Sequence, residues 1–220
     1  GIMPPQSGVY YNYYSDWMGA QMRTAIHGMA APGNPALAAR LAVDDSVISH
    51  SNNGMLGGMF NAVLVSLAFV KRDARELLEE TLAAIPPRSE YRTIGDFAMA
   101  TCRAHPTWEQ AWPLMEKRLE QYHWIHAYPN LAAEILALWY GDNDFDRTAH
   151  IIAMAGQDVD CTAAPVLNAL GIMQGGVPGK WTAPLGDHNK TFMRARQTIV
   201  IDELVNETVD AVRRAAAGGF

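Results

Sequence analysis

Cysteine is almost missing from this chain. Only Cys102 and Cys161 occur in 220 residues, which excludes a disulfide framework and fits a reducing cytoplasm. Long apolar runs are missing too. The two strongest, residues 55–70 and 131–140, fall short of the ~20 residues that a membrane-spanning helix needs. Positive charge is scarce: 17 Lys and Arg against 23 Asp and Glu leave a formal charge of −6. That balance argues against a general nucleic-acid or membrane-surface role. Alternation of apolar and polar residues is absent, apart from a brief β-like stretch at residues 198–201. The start, Gly1-Ile2-Met3-Pro4-Pro5, has neither the basic end nor the apolar core of a signal peptide. It reads as a chain entered in the middle.

What is present is enough for a sizeable core: 49% of the residues are hydrophobic and 18% charged, ordinary for one large globular domain. Residues 1–16, rich in Pro, Gly, Ser and Tyr, read as an irregular arm. The cluster Tyr10, Tyr11, Tyr13 and Tyr14 is expected to pack against something, because exposed aromatic patches are a liability. Residues 17–217 read as a single all-α domain with short connections.

Helical spacing runs over residues 17–29 and breaks at Ala31-Pro32-Gly33-Asn34-Pro35. Asn34 caps, and Pro35 opens, a short helix through Leu41. Further helices are expected over residues 55–70, 74–84, 89–104, 131–140 and 145–155, with a terminal one from about Ile201. Thr107-Trp108-Glu109-Gln110 fits a capping box. Trp108, Trp112, Met115 and Leu119 mark one face of the helix that follows.

One stretch carries chemistry: Gly156-Gln157-Asp158-Val159-Asp160-Cys161-Thr162. Pro165 is easiest inside a first turn, where its missing N–H is unpaired anyway, so the helix is expected to start near residues 160–162. Two readings stand side by side. In one, Asp158 is an N-cap and Asp160 answers the helix dipole. In the other, the two carboxylates hold a hard cation such as Mg²⁺ or Mn²⁺, with other oxygens completing the octahedron.

Two further stretches sharpen the choice. Ser15-Asp16-Trp17-Met18-Gly19-Ala20-Gln21-Met22-Arg23, with Ala31-Pro32-Gly33-Asn34-Pro35 behind it, resembles a motif of the ADP-ribosylglycohydrolase superfamily. That superfamily includes the dinitrogenase-reductase-activating glycohydrolases and the J1-type crystallins. Ser49-His50-Ser51-Asn52-Asn53-Gly54, with Gly57, looks like its second signature, and Gly156 to Ala163 like its third. The order and approximate spacing match, over residues 15 to 210.

The resemblance implies an orthogonal all-α bundle whose cleft holds two Mg²⁺ ions. It implies a hydrolase, a glycosidase cleaving the ribosyl bond of ADP-ribose from an acceptor. Asp158, Asp160 and Cys161 become the metal ligands, although Cys161 stands where many relatives carry a hydroxyl; a backbone carbonyl, water or Thr162 is the substitute expected there. Gly19, Gln21 and Arg23 would face a diphosphate. His50, Ser51 and Gly54 would line the nucleotide side, with His126 and Asn130 on a cleft-facing turn. His123 and His126 lack the spacing of a helical metal pair. The expected ligand is an ADP-ribose-like small molecule or an ADP-ribosylated acceptor.

Relatives also carry an N-terminal block with a Gly-Asp-Ala-x-Gly stretch and a Thr-Asp-Asp triplet, which supplies further metal ligands and the acid nearest the scissile bond. It has no counterpart here, and Asp44-Asp45 falls in the wrong order. No catalytic residue is therefore assigned, and a missing N-terminal segment, or a partner chain or fragment, is expected to bring that block. The alternative is an inactive relative that binds ADP-ribose or serves as a structural protein.

Overall fold

The computed structural model describes residues 1–218. The chain divides into two compact units, Gly1–Gly176 and Val177–Phe220; the expected boundaries at residues 16 and 217 do not coincide with this division.

Ten helices form the first unit: α1 (Gly19–Arg23), α2 (Ala25–Ala30), α3 (Pro35–Ser46), α4 (Asn52–Ala68), α5 (Ala74–Ala83), α6 (Glu90–Ala104), α7 (Trp108–Leu119), α8 (Ala127–Gly141), α9 (Phe145–Ala155) and α10 (Val159–Gln174). Helices α4 and α8 are apolar on every side and buried along nearly their whole length, as the spans at the centre of a bundle must be. Around them the amphipathic helices bury one stripe each. Helices α1, α2, α3, α5 and α10 pack on α4; α5, α6, α7, α9 and α10 pack on α8.

Local chemistry sets most boundaries. Asn34 accepts from the Leu37 N–H at 3.1 Å ahead of Pro35, Ser89 caps α6 through the Arg92 N–H, and Asp144 caps α9 through the Arg147 N–H. Three expectations change. The first helical pattern splits at Thr24, whose hydroxyl donates to the Gly58 carbonyl of α4 at 2.7 Å. Helix α3 continues past Leu41 to Ser46, whose fully buried hydroxyl donates back to the Ala42 carbonyl while Asp44 faces outward. Thr107 starts α7, but its side chain makes no cap bond.

The first 16 residues, with a 3₁₀ turn at Gln6–Gly8, are fastened to the α3–α4 connection. Ser7 Oγ donates to the Ile48 carbonyl at 2.8 Å, and Asn12 Nδ2 to the Ser49 carbonyl at 2.7 Å. The tyrosines pack on one another rather than on the core: Tyr10 meets Tyr11 edge-on at 4.7 Å, and Tyr14 meets Trp17 at 4.4 Å. Tyr11 is 93% exposed.

The second unit holds α11 (Gly179–Thr182), a two-stranded antiparallel ribbon of β1 (His188–Lys190) and β2 (Thr198–Val200), and α12 (Ile201–Gly218). Arg196 pairs with Glu207 through both guanidinium Nη atoms, at 2.8 and 3.1 Å. Among the described residues no helix is long and apolar enough to cross a membrane.

Gly54 tests how closely the arm is held. A methyl group there would run into the Ser15 carbonyl oxygen, which is backbone and has nowhere to yield. Gly54→Ala is expected to destabilise the chain by ~1–3 kcal/mol through overpacking, read as a lower urea midpoint. An unchanged midpoint would mean that the arm is not fixed there.

Candidate functional site

The three signatures, far apart in the chain, meet around α1. Gly19 faces the His50 ring so closely that a methyl group in its place would lie 2.9 Å from Cε1 and Nε2. Gln21 lies against Gly57 of α4. Met22 Sδ lies 3.2 Å from Cys161 Sγ of α10. Asp16, just before α1, accepts the N–H groups of Asn53 and Gly54 at 2.9 and 3.3 Å. It thereby anchors the start of α4, where unpaired N–H groups favour an anion.

The mouth of α10 is shaped by the turn before it. Gly156 has φ 72° and Gln157 φ 64°, the first a conformation that side chains rarely adopt. This turn delivers Asp158 to the N-cap position, yet its carboxylate makes no cap bond. The backbone N–H of Asp158 is taken instead by Asn130 Oδ1 at 3.1 Å. With no cap bond to make, the Asp158 carboxylate turns to Asp160 and Cys161 instead.

One ligand atom from each of Asp158, Asp160 and Cys161 lies within 4.8 Å of the others. Burial, joined by repulsion from Asp160, raises the Asp158 carboxyl above its ordinary value. Burial and the two carboxylates push the Cys161 thiol up to about 12. A cation there would reverse that balance and release the thiol proton.

Two substitutes for Cys161 fare differently. Thr162 is fully buried, and its hydroxyl turns back to the Asp158 and Val159 carbonyls at 3.0 and 3.2 Å, so it does not face the carboxylates as a free ligand. Helix α10 begins at Val159, which places Pro165 inside the helix rather than in its first turn. Because Pro165 has no N–H, the Cys161 carbonyl loses its usual helical donor four residues on.

The other expected residues sort by exposure. Gln21 is fully buried, its amide donating to Glu134 Oε1 at 2.9 Å; a direct ligand contact is replaced by a role in the interior. Asn130 is also fully buried, its amide donating to the Trp124 and His126 carbonyls at 2.8 Å each. It clips the mouths of α8 and α10 together. Arg23 is half-engaged: Nε meets Asp45 Oδ2 at 3.0 Å, and Nη2 meets the Asp45 carbonyl at 3.0 Å.

His50 accepts or donates through Nδ1 to Ser49 Oγ at 2.8 Å. Burial, helped by Arg23, holds its pKa down at about 4, so the ring is neutral at pH 7. Ser51 is the N-cap residue of α4, without a side-chain cap bond. His126 caps α8, its Nδ1 accepting from the Tyr128 N–H at 3.3 Å, and burial lowers its pKa. His123 stacks on Trp17 at 4.9 Å and 8°, as stacking rather than metal ligation requires.

Three residues of this neighbourhood escape a sequence reading. Asp16 sits inside a quoted motif but shows its role only through Asn53. Met22 has no ligand signature at all. Glu134 leaves a trace, a lone carboxylate in the apolar run 131–140.

An all-α bundle with a carboxylate–thiol cluster at one helix mouth defines the class: a helical protein with a candidate cation site. The family follows from the whole chain. The ADP-ribosylglycohydrolase family model matches residues 2–216, and the chain belongs to that family. Neither the curated proteins nor the solved structures contain a match.

Proposed function

We propose that this chain forms the metal-binding part of a glycohydrolase that acts on the ribosyl bond of ADP-ribosylated or related nucleoside-type substrates. The observation that carries the reading is the meeting of three remote signatures around α1, beside the Asp158–Asp160 pair, whose N-cap member makes no cap bond. Asp158 and Asp160 suit a divalent cation, which the resemblance gives as a pair of Mg²⁺ ions, with Mn²⁺ as the alternative. When bound, such an ion grips ribose hydroxyls and acidifies or orients a water.

The chain's own residues supply position. Asn130 fixes the Asp158 backbone, Asp16 fixes the start of α4, and neutral His50 stands beside Gly19 as a hydrogen-bonding group for a nucleotide. Cleavage at an anomeric carbon passes through an oxocarbenium-like state and calls for a carboxylic acid at the leaving group. None of the residues above is assigned that part, which falls to an acidic block of the family's N-terminal type, carried by a preceding segment or by a partner chain.

Thermal unfolding with a divalent cation and ADP-ribose tests this. A ligand binding only the native state at 100 times its dissociation constant adds about 2.7 kcal/mol. A stabilisation by ADP-ribose that needs the cation and disappears in Asp158→Ala is the expected result, to be followed by release of ADP-ribose from modified peptides. Absence of any shift in every combination would sink the reading.

A further inference from the structure

The donor set at the mouth of α10 does not match the hard ion that the resemblance implies. Mg²⁺ takes oxygen ligands in a near-ideal octahedron. Here the side chain that shares the cluster with Asp158 and Asp160 is a thiol, and a thioether, Met22 Sδ, lies 3.2 Å from it. The hydroxyl that could restore an oxygen, Thr162 Oγ1, is buried and bonded to its own helix. Sulfur donors favour thiophilic and borderline ions over Mg²⁺.

We infer that the Asp158–Asp160–Cys161 cluster, with Met22 at its sulfur edge, is a mixed oxygen–sulfur site selective for a thiophilic divalent cation of the Zn²⁺ or Co²⁺ kind over Mg²⁺. Two carboxylates and one thiolate supply three ligands, and a tetrahedral ion keeps its fourth position for water or substrate. Binding converts Cys161 from thiol to thiolate: the S–H bond breaks, the metal–sulfur bond forms, and the proton passes to solvent. Met22 excludes water from the sulfur side or joins the coordination, and its replacement separates the two.

This inference rests on the family reading for the existence of a cation site but not for the ion's identity. The test is Co²⁺ titration of the full chain, followed by its near-ultraviolet sulfur-to-cobalt band, with competition by Zn²⁺ and by Mg²⁺. The band is expected to appear, to be abolished by Zn²⁺, and to survive an excess of Mg²⁺, with affinity for Co²⁺ on the order of ten-fold or more above that for Mg²⁺. Cys161→Ser should remove the band and erase the preference while leaving weak Mg²⁺ binding through the carboxylates. Met22→Leu should keep the band, and a shift in its position would mark the thioether as a ligand.

Co²⁺ bound with no sulfur band, or equal affinities for Co²⁺ and Mg²⁺ in parent and Cys161→Ser, would overturn the inference while leaving the glycohydrolase reading intact. No binding of any ion would overturn it as well. A sulfur band with no metal-dependent binding of ADP-ribose would leave the sulfur site standing and defeat the proposed function instead.

Discussion

Replacing Asn130 with alanine is expected to lower the melting temperature by about 5–15 °C and to abolish metal-dependent stabilisation. The side chain is fully buried and makes three hydrogen bonds, to the Trp124 and His126 carbonyls and from the Asp158 N–H. Alanine removes all three partners at once. Each buried group left unpaired costs about 1–3 kcal/mol. Neighbouring effects do not add fully, which gives ~2–4 kcal/mol in sum. The functional loss has a separate cause: with the clip gone, the Asp158 backbone is held only from the α10 side, through Thr162, and the turn that brings its carboxylate to Asp160 and Cys161 loses its anchor on α8.

Asn130→Asp provides the control. It keeps the acceptor for the Asp158 N–H but sets a carboxylate against two carbonyl oxygens, so acid pH should partly restore its stability. Melting curves for Asn130→Ala that coincide with those of the parent would mean that the α8–α10 clip contributes nothing.

The second large effect is expected at Glu134. This carboxyl, buried completely in α8, accepts from Gln21 Nε2 at 2.9 Å and Asn61 Nδ2 at 3.1 Å. Burial pushes its pKa up to about 8, against the partial opposition of those two donors. Its second oxygen, Gln21 Oε1, Asn61 Oδ1 and the Tyr91 hydroxyl have no hydrogen-bond partner. At neutral pH Glu134 therefore holds its proton in the folded chain and releases it on unfolding.

The sign of the pH effect follows. The folded pKa exceeds the ordinary value of 4.5, so the contribution is complete below that value and is lost as pH rises through about 8. Stability should fall on the order of a few kcal/mol over that window. Glu134→Gln keeps the acceptor for both donors and adds an amide that suits the orphaned oxygens of Gln21 and Asn61. It is expected to flatten the alkaline fall and to exceed the parent in stability above pH 8. His50, depressed to about 4, contributes an opposite slope that is lost as pH falls from 6.5. That slope is common to both proteins and cancels in the difference. Urea midpoints measured from pH 5 to 9 decide the matter, and parallel curves for parent and variant would dismiss the idea.

Much of the fold was legible in the chain itself. Helical spacing, the Pro-Gly break before Asn34-Pro35, and the helix start after Thr107 depend on the conformational preferences of a few adjacent residues. They placed α5, α6, α7 and α9 within a residue or so of their ends. The apolar runs at residues 55–70 and 131–140, too short for a membrane, became the two buried central helices. The brief β-like stretch at residues 198–201 became β2, paired with β1, which local pattern did not show.

The candidate site was legible only as a set of residues. Spacing brought out Asp158 and Asp160, and the resemblance to the family's ordered motifs added Cys161, His50 and the α1 segment, because motif order survives in one dimension. Their working partners did not appear there. Gln21 meets Glu134 across 113 positions, Cys161 meets Met22 across 139, and Asp158 meets Asn130 across 28. Such pairs are decided when α4 and α8 pack and the shorter helices take the grooves left to them, since a side chain's neighbours at that distance follow from crossing helices and not from local propensity. The sequence alone determined which helices form and which groups are chemically able to bind; the packed bundle decided that Gln21 is interior, that Thr162 faces its own helix, and that sulfur faces the two carboxylates.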